Sequence, residues 1–190
     1  MELSVKLYLA LLAWVGVTRL VELWISRRHQ RRMAGRQIGR RPDPNYPWMV
    51  ALHAAVLAGA AAEVVWLKRP LVPALAAPAL VLFVLATALR WRAIGSLGAH
   101  WNVRVMDSAP LGVVATGPFR WVRHPNYLGV FVEMAALPLV HSAWISALLA
   151  VAGNILVLRD RLRVEEPMLE ANPQYRAVMA GKARFLPGIF

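Results

Sequence analysis

Residues 71–89 read LVPALAAPALVLFVLATAL, a stretch with no charged side chain and one hydroxyl, that of Thr87. A helix on the surface of a soluble bundle shows polar residues at helical spacing, and this stretch shows none. About 20 consecutive apolar residues are enough to cross the hydrocarbon core of a bilayer. The stretch therefore predicts a membrane-spanning helix.

Further apolar runs lie on both sides of this one. Two precede it, at 3–25 and 48–67, and two follow it, at 127–140 and 143–158. The run at 127–140 is short for a span, so it needs flanking residues or a small tilt. The chain is 58% hydrophobic, above the apolar share of soluble domains. We expect an all-α, multi-pass integral membrane bundle of about five transmembrane helices. It should form one domain over residues 1–190, with a helical hairpin near the carboxyl end.

The net charge of +12 is concentrated at the ends of the apolar runs. The loop after the first run contains Arg27, Arg28, Arg31, Arg32, Arg36, Arg40 and Arg41. With five spans, most arginines fall on one side, which the positive-inside rule assigns to the cytoplasm. We therefore expect an external amino terminus and a cytoplasmic carboxyl terminus. A composition rich in arginine and alanine favours a bacterial inner membrane. The arginine loop should bind anionic lipid headgroups, and nucleic acid is not an expected partner.

Several kinds of site are excluded by composition or spacing. The chain has no cysteine, which excludes disulfides and thiol nucleophiles. No cluster of side chains has metal-ligand spacing, so no metal is expected. No glycine-rich fingerprint of a nucleotide-binding βαβ unit is present either.

The segment 117–129, GPFRWVRHPNYLG, places two arginines, a histidine and a tyrosine beside apolar runs. Polar groups at the edge of hydrocarbon are costly, so this cluster needs a ligand or a charge partner. Downstream, Glu165 and Glu166 follow Arg161 and supply the opposite charge. Arg161 and Glu165 are four residues apart and share a helix face. The pattern predicts a small charged molecule bound beside the bilayer.

The order of these parts resembles the isoprenylcysteine carboxyl methyltransferase family. The resemblance is carried by Arg123-His124-Pro125-Asn126-Tyr127-Leu128-Gly129, a helical hairpin, and Arg161-x-x-x-Glu165-Glu166. The segments 97–102, 116–120 and 184–187 also fit the family. The likeness covers about residues 90–187, and the first two spans carry no motif of the family.

Two residues depart from the pattern of the family. Met179 stands where a second tyrosine of the tail is expected, and Phe119 stands where the family often has tyrosine. Both departures concern the contacts of the tail and the substrate more than the cofactor.

The resemblance implies an integral-membrane enzyme that uses S-adenosylmethionine to methylate the carboxylate of a prenylated cysteine. It implies that residues 1–89 form three spans and that residues 90–187 form the methyltransferase core. The His-Pro-Asn-Tyr segment and the second glutamate would serve the cofactor. We assign cofactor binding to Asn102, Gly117, Arg123, His124, Pro125, Tyr127, Leu128 and Glu166.

The charges of S-adenosylmethionine suggest how these contacts divide. Arg123 and His124 could hold its carboxylate, since arginine offers a bidentate geometry. Glu165 or Glu166 could bind its ammonium or the ribose hydroxyls. Pro125 and Tyr127 could flank the adenine, whose edge Asn102 could read.

We assign catalysis to Arg161 and Glu165, which would orient the nucleophilic oxygen of a lipophilic acceptor entering from the bilayer. A carboxylate acceptor has a reference pKa near 4 and needs no base, whereas a phenol, at about 10, does. Glu165 or His124 is the candidate base. Glu133 and Asn154 lie inside the last two spans, where they either bind substrate or join helices.

The other polar residues of the first two spans are given structural roles. Arg19 and Glu22 should pair at helical spacing and reach the membrane surface. His53 and Glu63 should pack against neighbours or line a cavity.

Two alternative functions stay open. Membrane reductases that bind a nicotinamide cofactor have a similar His-Pro-Asn-Tyr hairpin, although their chains are much longer. A non-enzymatic module that binds anionic lipid through the arginine loop would not need Glu165 and Glu166 beside Arg123 and His124.

Overall fold

The computed structural model describes residues 1–34, 38, 43, 45–107 and 111–186. Arg36, Arg40, Arg41 and Pro187, named above, lie outside the described residues. The α-helices are α1 (Leu3–Ala34), α2 (Tyr46–Trp66), α3 (Pro73–Leu97), α4 (Pro125–Leu139), α5 (Trp144–Glu170) and α6 (Pro173–Met179). Short 3₁₀ turns cover Gly98–His100 and Gly117–Arg120. Over the described ranges the extended pairing amounts to an isolated parallel bridge between Val122 and Ala183. The expected all-α fold is confirmed.

Three helices, α1, α2 and α3, are long and apolar enough to cross a membrane. Large apolar side chains such as Leu7, Leu20 and Leu85 point outward from them, as they do on lipid-facing surfaces. The protein is therefore an integral membrane protein with several spans. Helix α4, with 15 residues, is shorter than the roughly 20 that a span needs. Helix α5 is apolar only up to Leu158. The expected topology and the count of five spans stay predictions.

Helices α3 and α4 form a close pair, and a glycine makes the contact possible. A β-carbon on Gly129 of α4 would lie 3.1 Å from the backbone oxygen of Ala86 and from Cγ of Arg90 on α3. Because most β-carbons keep a larger distance, residue 129 has to be small for the two helices to approach this closely. The close approach sets the first turn of α4, and with it Asn126 and Tyr127, beside the end of α3.

The expected helical hairpin is formed by α4 and α5, and Glu63 of α2 fixes its turn. The Glu63 carboxylate accepts hydrogen bonds from the backbone N–H groups of Ile145 (3.1 Å) and Ser146 (2.9 Å) and from the Ser146 hydroxyl (3.0 Å). These N–H groups belong to the first turn of α5, where a helix offers them no internal partner. Arg69 pairs with the same carboxylate at 2.9 Å. Glu63 is thus an N-terminal cap supplied by another helix.

A closed ring of four charges ties α1 to α3 and α4, and three of them, Glu22, Arg90 and Glu133, are buried. Arg19 lies 3.2 Å from Glu22 and 2.6 Å from Glu133, and Arg90 lies 2.9 Å from Glu133 and also pairs with Glu22. The Thr87 hydroxyl donates a further hydrogen bond to Glu133 at 3.0 Å. Arg19 and Glu22 do pair as expected, but Glu22 is buried and Arg19 partly buried in this ring, where opposite charges replace water. We call these four residues the ionic ring.

Candidate active site

His124 is held between the start of α4 and the carboxyl-terminal tail. The backbone N–H groups of Arg123 and His124 donate to the carbonyl oxygens of Ala183 and Arg184, both at 2.9 Å. Pro125 then takes the first helical position of α4, where its fixed backbone angle favours helix initiation. The tail segment 183–184 therefore fixes the backbone of the motif at the mouth of the site.

Glu166 of α5 joins His124 to the tail. Its carboxylate accepts hydrogen bonds from Arg184 at 2.9 and 2.7 Å and lies 3.3 Å from Nε2 of His124. Arg123 is 3.6 Å from the same carboxylate and 3.1 Å from that of Glu170. Burial lowers the pKa of His124, against the opposing effect of Glu165 and Glu166. A neutral imidazole that donates from Nε2 to Glu166 is therefore favoured.

Tyr127 links the two residues that the sequence assigns to catalysis. Its hydroxyl donates a hydrogen bond to Glu165, and its ring lies 5.5 Å from the guanidinium carbon of Arg161. Arg161 in turn donates to the backbone oxygen of Val103 at 2.9 Å. Across the described residues Arg161 and Glu165 form no direct ion pair, because the tyrosine lies between them.

A polar cavity of about 160 Å³ opens beside these groups. It is bounded by the start of α4, the end of α5, α6 and the loop that follows α3. Its polar walls include Arg123, His124, Asn126, Tyr127, Arg161 and Glu165. Tyr175 of α6 also lines it, and burial raises the pKa of this phenol to about 12. Tyr175 therefore keeps its proton at neutral pH.

A second cavity, of about 260 Å³, lies deeper between α1, α2, α4 and α5. Its sides are apolar and include Leu20, Val50, Ala54, Leu57, Val130 and Val157. Its deep end is formed by Arg19, Glu22 and Arg90 of the ionic ring together with His53 and Asn154. Leu20 and Ala54 are also exposed on the outer surface of the bundle. The apolar cavity is therefore bounded in part by lipid-facing residues.

The two cavities meet at a shared wall, which we call the junction. The junction consists of Trp101, Asn102, Asn126, Tyr127 and Arg161, which line both cavities. In the described structure, Nε1 of Trp101, Oδ1 of Asn126 and Nε of Arg161 are buried without a hydrogen-bond partner. Buried polar atoms nearly always have partners. Two donors and one acceptor near the point where the cavities meet therefore have no partner among the described residues.

The structure brings together only part of the predicted cofactor residues. Asn102, Arg123, His124 and Tyr127 line the polar cavity. The described residues that line this cavity do not include Gly117, Pro125, Leu128 or Glu166. Gly117 opens a 3₁₀ turn with a positive φ of 57°, and Pro125 starts α4. Direct contact of these four residues with a cofactor stays a prediction.

The side-chain amides of Asn102 and Asn126 differ in whether they already have hydrogen-bond partners within the protein. Asn102 accepts a hydrogen bond from Ser26 at 2.9 Å and lies 3.4 Å from the Met33 sulfur, so its amide already has partners in α1. Asn126 has an unpartnered oxygen at the junction. Asn126 belongs to the His-Pro-Asn-Tyr segment that the resemblance assigns to the cofactor, but it is not among the individual cofactor residues predicted from the sequence. Trp101, for which the sequence predicts no role in the site, is 4% exposed.

The two predicted substrate residues lie at different depths. Asn154 lines the apolar cavity, and its amide nitrogen is 3.3 Å from the Met134 sulfur. Glu133 belongs to the ionic ring, and its hydrogen bonds go to Arg19, Arg90 and Thr87. Asn154 therefore lines the apolar cavity, and Glu133 contacts residues that form its deep end. Contact of either residue with a substrate stays a prediction.

The two departures from the family pattern pack together. Phe119 and Met179 form a small apolar cluster with Ala93 and Tyr175. This cluster lies next to the polar cavity, which Phe119, Tyr175 and Met179 also line. The two apolar side chains therefore give one side of that cavity a hydrophobic surface.

Comparison with known proteins supports the class of membrane methyltransferases. Residues 79–171, from within α3 to the end of α5, match the isoprenylcysteine carboxyl methyltransferase (ICMT) family. The chain is also 29% identical over 161 residues to the uncharacterized protein YpbQ of Bacillus subtilis (strain 168), an alignment that covers 84% of this chain and 95% of the relative. The resemblance inferred from the His-Pro-Asn-Tyr motif is confirmed.

Proposed function

We propose that the protein transfers the methyl group of S-adenosylmethionine to an oxygen atom of a lipophilic acceptor. The observation that supports this proposal is a pair of cavities that meet at the junction, the first with charged side chains such as Arg123 and Glu165 in its wall and the second lined mainly by apolar side chains. A charged, water-soluble cofactor suits the polar cavity, and an apolar acceptor suits the cavity between α1, α2, α4 and α5. Direct transfer requires the methyl group and the accepting oxygen to come into contact, and the proposal places this contact at the junction.

The described residues fit S-adenosylmethionine chemically. Arg123 lines the polar cavity and has a buried Nε without a partner, so its guanidinium suits a carboxylate. Glu165 offers the negative charge that an ammonium or a sulfonium needs. The free oxygen of Asn126 suits the exocyclic amine of adenine. When bound, this cofactor supplies an electrophilic methyl group.

The acceptor would place its reacting oxygen at the junction and its apolar part between the helices. Arg161, through its unpartnered Nε–H, would orient a carboxylate or a phenolate oxygen. Glu165, held by the Tyr127 hydroxyl, would take the proton of a phenol, whereas a carboxylate already lacks one. The loop carrying Trp101 covers the junction and would limit access of water, which favours transfer to the acceptor.

The first test is calorimetric binding of S-adenosylmethionine, S-adenosylhomocysteine and NADPH to the purified protein in lipid nanodiscs. We expect both sulfur compounds to bind and NADPH not to bind. Binding of NADPH alone would move the chain to the reductases. Absence of binding by all three would reject a methyltransferase site and favour a lipid-binding module.

The second test addresses the acceptor cavity. Ala54→Trp on α2 fills part of the apolar cavity, and Ala51→Trp, on the same helix and exposed, is the matched control. With radiolabelled S-adenosylmethionine and a panel of farnesylated cysteine analogues and long-chain alkylphenols, Ala54→Trp should abolish transfer. Affinity for S-adenosylhomocysteine should not change. Normal transfer by Ala54→Trp would contradict the assignment of this cavity to the acceptor.

A further inference from the structure

Helix α1 is longer than a membrane span requires. It has 32 residues, which at 1.5 Å per residue is about 48 Å, whereas the hydrocarbon core of a bilayer is about 30 Å thick. Its apolar run ends at Ile25. The exposed indole of Trp24 lies at this boundary, as tryptophan does at membrane surfaces. The turns after Trp24 therefore project at the level of the lipid headgroups.

The outer face of these turns is purely cationic. Arg27, Arg28, Arg31 and Arg32 are all exposed. Within the described part of the chain they have no acidic partner, and the guanidinium carbon of Arg28 lies 5.6 Å from the Trp24 ring. Like charges three and four residues apart destabilise a helix. This face can therefore bind anions from outside the chain, and their binding would relieve the repulsion.

The inner face of the same turns holds the loop that forms the junction. The Ser26 hydroxyl donates to Oδ1 of Asn102 at 2.9 Å and accepts from the backbone N–H of Val103 at 3.0 Å. Nδ1 of His29 lies 2.8 Å from the backbone oxygen of Trp101. Across the junction, Arg161 donates to the backbone oxygen of Val103 at 2.9 Å. Fraying of these turns would release the loop from one of its two supports.

We propose that phosphates of anionic phospholipids bind the arginine face of α1 and thereby hold its inner face against residues 101–103. Arginine binds phosphate oxygens through paired hydrogen bonds, and clusters of basic residues next to a span bind anionic lipid. Because the apolar surface of α1 continues directly into the arginine face, lipid headgroups are the anions in its reach. The charge of the membrane would in this way control the order of the junction.

The experiment measures hydrogen exchange of the backbone amides of residues 101–105 in nanodiscs. One set contains phosphatidylcholine alone and the other contains about a third phosphatidylglycerol. We expect exchange to slow at least threefold in the anionic discs. Equal exchange in both lipids would overturn the proposal. The readout needs no methyl transfer, so it can succeed or fail separately from the proposed function.

Two matched variants locate the effect. The double variant Arg27→Gln with Arg31→Gln removes two charges from the arginine face, and Arg159→Gln with Arg163→Gln removes two exposed arginines from α5. The first should lose at least half of the lipid-dependent protection, and the second should keep it. Equal losses would overturn the proposal, since a general surface charge would then explain them. Protection by dissolved inorganic phosphate in phosphatidylcholine discs would overturn the assignment to lipid.

Discussion

Arg184 of the tail donates two hydrogen bonds to the carboxylate of Glu166, at 2.9 and 2.7 Å. The same carboxylate lies 3.3 Å from His124 and 3.6 Å from Arg123. It therefore fixes three elements to one another: the motif before α4, the end of α5 and the tail. By its position, Glu166 holds His124 and Arg123, which line the polar cavity.

The first prediction is that Glu166 and Arg184 act as a unit. Glu166→Gln and Arg184→Gln should each weaken the binding of S-adenosylhomocysteine, because each releases His124 from the tail. The double variant should be little worse than either single one, with a coupling energy of about 0.5–3 kcal/mol. Calorimetry on the four proteins of the cycle measures this energy. Additive losses would mean that Glu166 contacts the cofactor independently of Arg184.

The second prediction concerns the dependence of stability on pH. Since burial lowers the pKa of His124 in the folded protein, the unfolded chain binds the proton more readily. The contribution of His124 is therefore fully present above the unfolded pKa, near 6.5. It is lost as the pH falls through the lower folded pKa. The melting temperature of the wild type should fall more between pH 7 and pH 5 than that of His124→Gln. Parallel curves for the two proteins would contradict this prediction.

The fold could be predicted from the sequence because long apolar runs indicate helices that are surrounded by lipid. The residues at which these helices begin and end could not be predicted in the same way. Helix α3 was expected to end with its apolar run at Leu89, and it continues to Leu97. It ends where Gly98 adopts a positive φ of 50°. Helix α1 likewise continues past Ile25 to Ala34. The length of an apolar run corresponds to the thickness of the bilayer, whereas a helix continues until a residue such as Gly98 adopts a non-helical backbone conformation.

The site could be predicted where its residues are close in sequence. The motif residues Arg123, His124 and Tyr127 do line one cavity. Contacts between residues that are far apart in the sequence could not be predicted, because no local sequence pattern indicates them. Tyr127 bonds Glu165, which is 38 residues away, and Arg19 bonds Glu133, which is 114 residues away. Helical periodicity shows which side of a helix is polar, but it does not show which helix faces it.

The third prediction tests the ionic ring. Glu133→Leu leaves Arg19 and Arg90 with one carboxylate between them, and removal of one partner from a buried ion pair costs about 3–5 kcal/mol. The double variant Arg19→Met with Glu133→Leu keeps the neutral pair of Arg90 and Glu22. It should therefore recover most of the loss. Thermal unfolding in detergent compares the two proteins. A double variant less stable than Glu133→Leu would show that charge balance is not what stabilises the ring.

The fourth prediction concerns the cap that Glu63 provides. Glu63→Ala removes the acceptor of two backbone N–H groups at the start of α5, and loss of an N-terminal cap costs about 0.5–2 kcal/mol. Arg69→Ala removes only the partly exposed cation that pairs with Glu63, so it should cost less. Melting temperatures measure both effects. A larger loss for Arg69→Ala would show that the ion pair matters more than the cap.

The fifth prediction uses Tyr127 to distinguish the two acceptor classes. Tyr127→Phe keeps the ring at the junction but removes the hydroxyl that positions Glu165. With a phenol acceptor, kcat should fall about 100-fold, a typical contribution of acid–base catalysis. With a carboxylate acceptor, which needs no base, the loss should be much smaller.

Single-turnover methyl transfer and binding of S-adenosylhomocysteine together check this prediction. The affinity should stay close to that of the wild type, since the aromatic surface is retained. Tyr175→Phe is the control, because Tyr175 lines the same polar cavity and has no hydrogen bond to Glu165 among the described contacts. Equal rates for Tyr127→Phe and wild type with a phenol would exclude Glu165, positioned by Tyr127, as the base.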